Sequence, residues 1–263
     1  MLWQQTQARR QSFRVFAVDF DGVLCDTAAE TGVTAWRAGA QLWPAWQGPE
    51  PPSEFLSRFQ NLRPVLETGY QAIFLMRLIY AGVDDKTIER QFPQLCIRLL
   101  YETACSTAEL VHLFGQTRDT WIAHDLDDWL SRHAFYPQVI ETFATRVKSD
   151  PVFILTTKQE RFVTTLLHSR GIRLPGGHIF GLDAGKSKEE VLEQLSRRPL
   201  FDGARLHFVE DRLQTLIRIV DRSTLRDVRL YLADWGYNTR RDREKARSIP
   251  RITIWKSETF LEP

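Results

Sequence analysis

Cysteine, long apolar segments and an excess of one charge are all scarce in this sequence. Its 263 residues include three cysteines, and none of them forms a Cys-x-x-Cys pair. This argues against a disulfide framework and favours a reducing compartment. No apolar run approaches the length of a membrane span, and residues 1–13 show no signal-peptide pattern. We therefore expect a cytoplasmic protein without a membrane partner.

The charge balance argues against a protein dedicated to nucleic acids. The 35 basic and 33 acidic residues leave a net charge of +2. A short basic cluster at 240–247 is interrupted by Asp242 and Glu244, which is typical of a solvated helix face. The six histidines also lack His-Glu-x-x-His spacing, so they predict no zinc site. We expect no nucleic-acid partner.

Short apolar runs indicate the fold class. They lie at 14–20, 152–155, 206–209, 228–232 and 252–255, and they are typical of strands covered on both faces of a parallel sheet. Helical patterns at 159–170 and 211–220 alternate with them. Strands that alternate with helices predict an α/β fold with a doubly wound, mainly parallel sheet.

The stretch 27–135 differs from the rest because it has helical periodicity and little strand signal. Helical patterns occur at 70–81, 85–100 and 108–112. We therefore predict an α-helical cap domain at 27–135, inserted into a catalytic core formed by 1–26 and 136–263. Ligands of open α/β sheets bind outside the carboxyl ends of the strands, so the insertion is rooted where a site is expected.

Two carboxylates follow the first predicted strand closely. Asp19 ends the apolar run, and Asp21 and Gly22 come shortly after it. Asp-Gly is a common turn pair, but carboxylates this close destabilise each other unless a cation or a shared proton relieves them. The alternative to a plain turn is an acidic metal site at the end of a parallel strand.

Four motifs occur in chain order. They are Asp19-Phe20-Asp21-Gly22, an apolar strand ending in Thr156, a lysine opening a helix within 185–192, and a strand ending in Glu210-Asp211. Together they resemble the motifs of the haloacid-dehalogenase-like superfamily, in its phosphohydrolase branch. The resemblance covers both ends of the chain, and in the cap it rests on position and helicity alone. The later Trp235-Gly236-Tyr237 resembles a sequence in phosphoglycolate-phosphatase-like members.

This resemblance implies a role for each matched catalytic residue. Asp19 is expected to be the nucleophile that forms an aspartyl-phosphate. Asp21 would protonate the departing alcohol and later deprotonate water. Thr156 would hydrogen-bond a phosphoryl oxygen, and a lysine of the third motif would offset negative charge.

The resemblance also implies a Mg²⁺ ion, which prefers oxygen ligands. The expected ligands are Asp19, Asp211 and the backbone carbonyl of Asp21. Glu210 departs from the usual Gly-Asp or Asp-Asp of the fourth motif, and we expect it to act through water or as an outer partner. The charge of the metal would relieve the crowding of the carboxylates.

The sequence leaves several functions open beside phosphate hydrolysis of a small phosphorylated metabolite. A phosphomutase uses the same residues, while dehalogenases of this superfamily lack the second aspartate. A P-loop resemblance at 181–187 is one residue short. A catalytically weak scaffold or regulator is the non-enzyme alternative, with Trp36, Trp43 and Trp46 as an interaction surface instead of a cap core. Either a monomer or a homodimer is compatible with the sequence.

Two lysines compete for the role in the third motif, and capping chemistry favours one. Ser187, with Glu190 three residues later, reads as a capping box, which places Lys188 in the first helical turn and Lys186 outside it. A cation is unfavourable in that turn unless it faces an anion. We predict that Lys188→Ala severely reduces turnover and that Lys186→Ala has a mild effect, as measured by phosphate release. The reverse pattern would transfer the role to Lys186.

Overall fold

The apolar runs of the sequence form the strands of one parallel sheet. The structure is a computed structural model that describes residues 14–46 and 48–262. The strands are β1 (Arg14–Val18), β2 (Cys25–Asp26), β3 (Ala134–Phe135), β4 (Val152–Leu155), β5 (Ile179–Phe180), β6 (Arg205–Glu210), β7 (Arg229–Ala233) and β8 (Ile252–Trp255). Six of them form a sheet in the order β5-β4-β1-β6-β7-β8, and β2 and β3 form a second sheet. All five pairings of the large sheet are parallel, which confirms the predicted fold class.

The helices fall between the strands and in the long insertion. They are α1 (Ala28–Leu42), α2 (Ser53–Leu62), α3 (Gln71–Tyr80), α4 (Asp85–Thr103), α5 (Thr107–His124), α6 (Leu126–Ser131), α7 (Pro137–Arg146), α8 (Glu160–Ser169), α9 (Lys188–Ser196), α10 (Leu213–Val220) and α11 (Arg240–Arg247). Within the part of the chain that the structure describes, none of these helices combines the length and the apolar character needed to cross a membrane.

The chain divides into two units, each with a core of its own. Among the described residues, one unit contains 14–26 and 135–262, and the other is the helical segment that begins at Thr27 and ends at Ala134. In the helical unit, Trp36 and Trp46 are 3% and 4% exposed and stack with ring centroids 4.8 Å apart. These two tryptophans therefore belong to the core of that unit, and Trp43 packs against it half-buried.

The register of the sheet determines where the catalytic candidates lie. Val18 of β1 is paired with Ile154 of β4 on one side and with Val209 of β6 on the other. All three strands run in the same direction, so their carboxyl ends meet at one edge. The residues just beyond those ends, Asp19 and Thr156, therefore come together with Glu210 at the end of β6.

Candidate active site

Asp19 occupies the first position after β1 and is held firmly. Its backbone N–H donates to the carbonyl of Val209, at 2.9 Å, and its Oδ1 accepts from the N–H of Phe20, at 2.8 Å. The residue is 6% exposed. Its second oxygen, Oδ2, lies 3.0 Å from the Nζ of Lys188. The carboxylate is therefore oriented by the backbone on one side and by a cation on the other.

Lys188 opens α9, as the sequence predicts. Ser187 is the N-cap and forms a capping box with Glu190. Lys188 lies in the first turn, and its Nζ contacts both Oδ2 of Asp19, at 3.0 Å, and Oε2 of Glu210, at 2.7 Å. The Nζ of Lys186 instead donates to Gln194 in an exposed contact, at 2.8 Å. The structure thus brings Lys188, and not Lys186, to Asp19.

Three carboxylates are crowded at this edge. One carboxylate oxygen from each of Asp19, Glu210 and Asp211 lies within 4.8 Å of the others, and all three residues are buried. Burial raises the pKa of Asp19 to about 7, and the negative charge of Glu210 adds to this rise while Lys188 opposes it. Burial also raises the pKa of Glu210, against the effect of Lys188. The positive charge of Lys188 therefore does not fully compensate the negative charge of the three carboxylates.

The carboxylates also affect the charge of Lys188. Burial alone would disfavour the charged form of Lys188, but the charges of Asp19 and Glu210 outweigh it and raise the pKa of the lysine. The ammonium group is consequently charged at any physiological pH. A phosphoryl group that approached Asp19 would therefore meet a positive charge beside the carboxylate.

Asp21 and Thr156 lie at the same edge, together with a lysine that the sequence reasoning missed. The Nζ of Lys158 lies 3.3 Å from Oδ1 of Asp21, and Lys158 is 4% exposed. Its backbone N–H donates to Oγ1 of Thr156, at 3.1 Å. The only signal in the sequence is a lysine two residues after a strand-ending threonine, which is too common to identify a site.

A loop after β7 fixes the fourth motif. The N–H of Tyr237 donates to Oδ2 of Asp211, at 2.6 Å. The side-chain amide of Asn238 donates to the backbone carbonyl of Asp211, at 3.0 Å, and to that of Ala233, at 2.8 Å. Trp235 donates from its indole to the carbonyl of Val23, at 3.0 Å. The Trp-Gly-Tyr sequence noted above therefore supports the site by hydrogen bonds to both acidic loops.

Close backbone packing in this region requires glycine. A Cβ on Gly236 would collide with Asp211 and would lie 2.5 Å from the carbonyl oxygen of Gly22. Gly22 itself has φ +82°, and a Cβ there would meet the Asp211 carboxylate and Tyr237. The glycines let three loops approach closely enough for Asp211 to face Asp19 and Glu210.

The donor set suits a hard divalent cation. All three clustered ligands are carboxylates, which Mg²⁺ prefers over nitrogen or sulfur donors. With Asp21 included, four carboxylates face two ammonium groups, those of Lys158 and Lys188. A divalent cation would compensate negative charge that the two lysines leave at this edge.

Comparison with solved structures identifies the fold. The chain is similar to a predicted phosphoglycolate phosphatase from Haemophilus somnus, with TM-score 0.58, 15% identity, and 94% and 96% of the two chains covered. It is also similar to a predicted phosphatase from Clostridium acetobutylicum (TM-score 0.53, 15% identity, 92% and 94% covered). A haloacid dehalogenase-like hydrolase family protein from Streptococcus pneumoniae matches with TM-score 0.53, 14% identity, and 93% and 95% covered. No protein-family model and no curated protein matches the sequence.

Gly236 provides a test of the packing around Asp211. Gly236→Ala should displace Asp211 and lower Mg²⁺ affinity by about tenfold or more, because groups that orient a metal ligand affect affinity on that scale. Titration calorimetry with MgCl₂ measures the change. Gly176→Ala is the matched control, since a Cβ there meets nothing within 4 Å. Wild-type affinity in a folded Gly236→Ala protein would show that the close approach of these loops does not position Asp211.

Proposed function

Because the chain has the fold of the haloacid-dehalogenase-like hydrolases, we propose that it is a Mg²⁺-dependent phosphohydrolase of a small phosphorylated metabolite. The observation that carries the proposal is the contact of a buried Asp19 with the ammonium of Lys188, within a cluster of carboxylates. The similar structures described above support the reaction class, because they include proteins named as phosphatases and a hydrolase.

The first step forms a covalent intermediate. An Asp19 carboxylate oxygen attacks phosphorus, and the bond from phosphorus to the ester oxygen breaks as the new bond forms. Asp21 gives its proton to the departing oxygen, so the alcohol leaves neutral. Thr156 donates a hydrogen bond to a phosphoryl oxygen, and Lys188 offsets negative charge on the transferred group.

The second step restores Asp19. Water attacks phosphorus while Asp21 takes a proton from it, and the bond from phosphorus to the Asp19 oxygen breaks. Inorganic phosphate and the free carboxylate result. The same residue can serve as acid and then as base because each step leaves Asp21 in the protonation state that the other needs.

A Mg²⁺ ion fits the residues at this edge. Asp19, Asp211 and the backbone carbonyl of Asp21 would hold it, with Glu210 acting through water or from outside the first ligands. When bound, Mg²⁺ supplies positive charge that neutralises the crowded carboxylates and the phosphoryl oxygens. The high pKa of Asp19, about 7 from burial and Glu210, supports this requirement, because a protonated Asp19 is not a nucleophile.

Phosphate release from a panel of phosphorylated metabolites, with and without Mg²⁺, tests the proposal. We expect release with Mg²⁺, loss of at least about a thousandfold in excess chelator, and a comparable loss in Asp19→Asn, whose amide is a poor nucleophile. Lys186→Ala is the matched control, because the Lys186 side chain is exposed and bonded to Gln194.

Other outcomes separate the remaining functions. An isomerised phosphate ester in place of free phosphate would identify a phosphomutase. Full activity in chelator would contradict the metal requirement and reopen dehalogenation. Mg²⁺ binding without turnover of any ester would favour a scaffold or regulator.

A further inference from the structure

Arg243 differs from the other basic residues of the cluster at 240–247. The side chains of the other four are exposed; they belong to Arg240, Arg241, Lys245 and Arg247. Arg243 is half-buried, and it forms no ion pair with any residue in the described part of the chain. A cation that is partly removed from water without a carboxylate partner loses hydration. The neutral groups that Arg243 contacts instead therefore need an explanation.

The guanidinium of Arg243 donates to two oxygens of Asn238. Its Nη1 reaches the backbone carbonyl of Asn238, at 3.0 Å, and the side-chain Oδ1, at 2.9 Å. Asn238 immediately precedes Thr239, the N-cap of α11, which forms a capping box with Asp242. Arg243 lies in this capped helix, about one turn beyond the cap. The start of α11 therefore keeps the guanidinium close to Asn238.

These contacts determine which way the side-chain amide of Asn238 points. Its Nδ2 donates to the backbone carbonyls of Asp211, at 3.0 Å, and Ala233, at 2.8 Å. A guanidinium can donate but not accept, and a carbonyl can accept but not donate. The reversed amide would place Nδ2 against the cation and Oδ1 against both carbonyls. Arg243 thus stabilises the orientation in which Asn238 binds the Asp211 backbone.

The same segment also orients the carboxylate of Asp211. Tyr237, the neighbour of Asn238, donates its backbone N–H to Oδ2 of Asp211, at 2.6 Å. Because Arg243 binds the backbone carbonyl of Asn238 as well as its side chain, it restrains this segment in two ways. Groups that orient a metal ligand affect metal affinity without touching the ion.

We propose that Arg243 is a positioning residue for the metal site, and that it acts through Asn238 to hold Asp211 where Asp211 can bind Mg²⁺. The inference rests on the proposed phosphohydrolase function and concerns the Mg²⁺ site of that function. Asp211 has a further anchor, since its N–H donates to Oε1 of Glu210, at 3.1 Å. We therefore expect the loss of Arg243 to weaken Mg²⁺ binding without abolishing it.

Arg243→Met tests the inference because positioning and simple electrostatics predict opposite changes. Loss of one positive charge would by itself favour the binding of a cation. Loss of positioning should instead lower Mg²⁺ affinity by about tenfold, as measured by titration calorimetry with MgCl₂. Arg247→Met is the matched control, because it removes the same charge from an exposed position of the same helix. It should bind Mg²⁺ at least as tightly as the wild type.

A double variant tests whether Arg243 acts through Asn238. Asn238→Ala should itself lower Mg²⁺ affinity by about tenfold or more. Addition of Arg243→Met to it should lower the affinity little further, because the amide that Arg243 orients is already gone. Losses that simply multiply would contradict the route through Asn238. Thermal unfolding in chelator verifies that each variant is folded, and Arg243→Gln replaces Arg243→Met if the latter does not fold.

A crystal structure of metal-free Arg243→Met separates failure of the inference from failure of the proposed function. We expect the side-chain amide of Asn238 to move beyond hydrogen-bond distance of the Asp211 carbonyl, about 3.5 Å. If that bond persists, or if a folded variant binds Mg²⁺ as tightly as the wild type, the inference is wrong and the hydrolase function stands. If the wild type neither binds Mg²⁺ nor releases phosphate, the proposed function is wrong. The metal-free structure then still decides whether Arg243 positions Asp211.

Discussion

The mutual charge compensation of carboxylates and lysines at the edge of the sheet is the constraint on which this structure depends. Burial makes each carboxylate costly, and the pKa of Asp19 rises to about 7 as a result. Lys188 offsets part of that cost through its contacts with Asp19 and Glu210. The lysine in turn stays charged because these anions surround it. Such a cluster costs stability to assemble, and the proposed binding of a metal and a phosphoryl group would account for it.

The sheet brings the candidate catalytic residues to one edge, and the loops beyond the strands fix their positions. Parallel β1, β4 and β6 bring Asp19, Thr156 and Glu210 together through their register. Asp211 needs more than the sheet, because it lies beyond β6 on a loop. The backbone N–H of Tyr237 donates to the Asp211 carboxylate, at 2.6 Å. Gly22 and Gly236 allow their loops to pack closely against Asp211. Positions that tolerate no side chain therefore matter as much to the site as the acidic residues.

The sheet and several site residues were predictable because their signals are local. A strand buried on both faces needs a continuous apolar run, and the capping box at Ser187 placed the start of α9. By contrast, β5 has only two residues, Ile179–Phe180, which is too short for any pattern. The helix α5 continues to His124, beyond the predicted 108–112. It buries Arg118, paired with Glu30 at 2.7 Å, at a position where an apolar residue would have continued the sequence pattern. A buried ion pair interrupts the periodicity on which helix prediction relies.

The position of Lys158 could not be predicted for a related reason. Its partner Asp21 is far away along the chain, and only the pairing of β1 with β4 brings the two together. A lysine beyond a strand usually extends into solvent, so its burial becomes evident only when both strands are in place. Tertiary contacts between distant segments thus define this part of the site.

Chemical trapping of the covalent intermediate tests the central role of Asp19 most directly. Asp21→Asn enzyme would be mixed with p-nitrophenyl phosphate and Mg²⁺, quenched rapidly in acid, digested and measured by mass spectrometry. The nitrophenolate leaves without a proton donor, while removal of the base slows hydrolysis, so the phosphoenzyme should accumulate. We predict one phosphoryl group on the peptide that contains Asp19. Release of nitrophenolate with no phosphorylated peptide, or with the phosphoryl group on another residue, would contradict the role of Asp19 as the nucleophile.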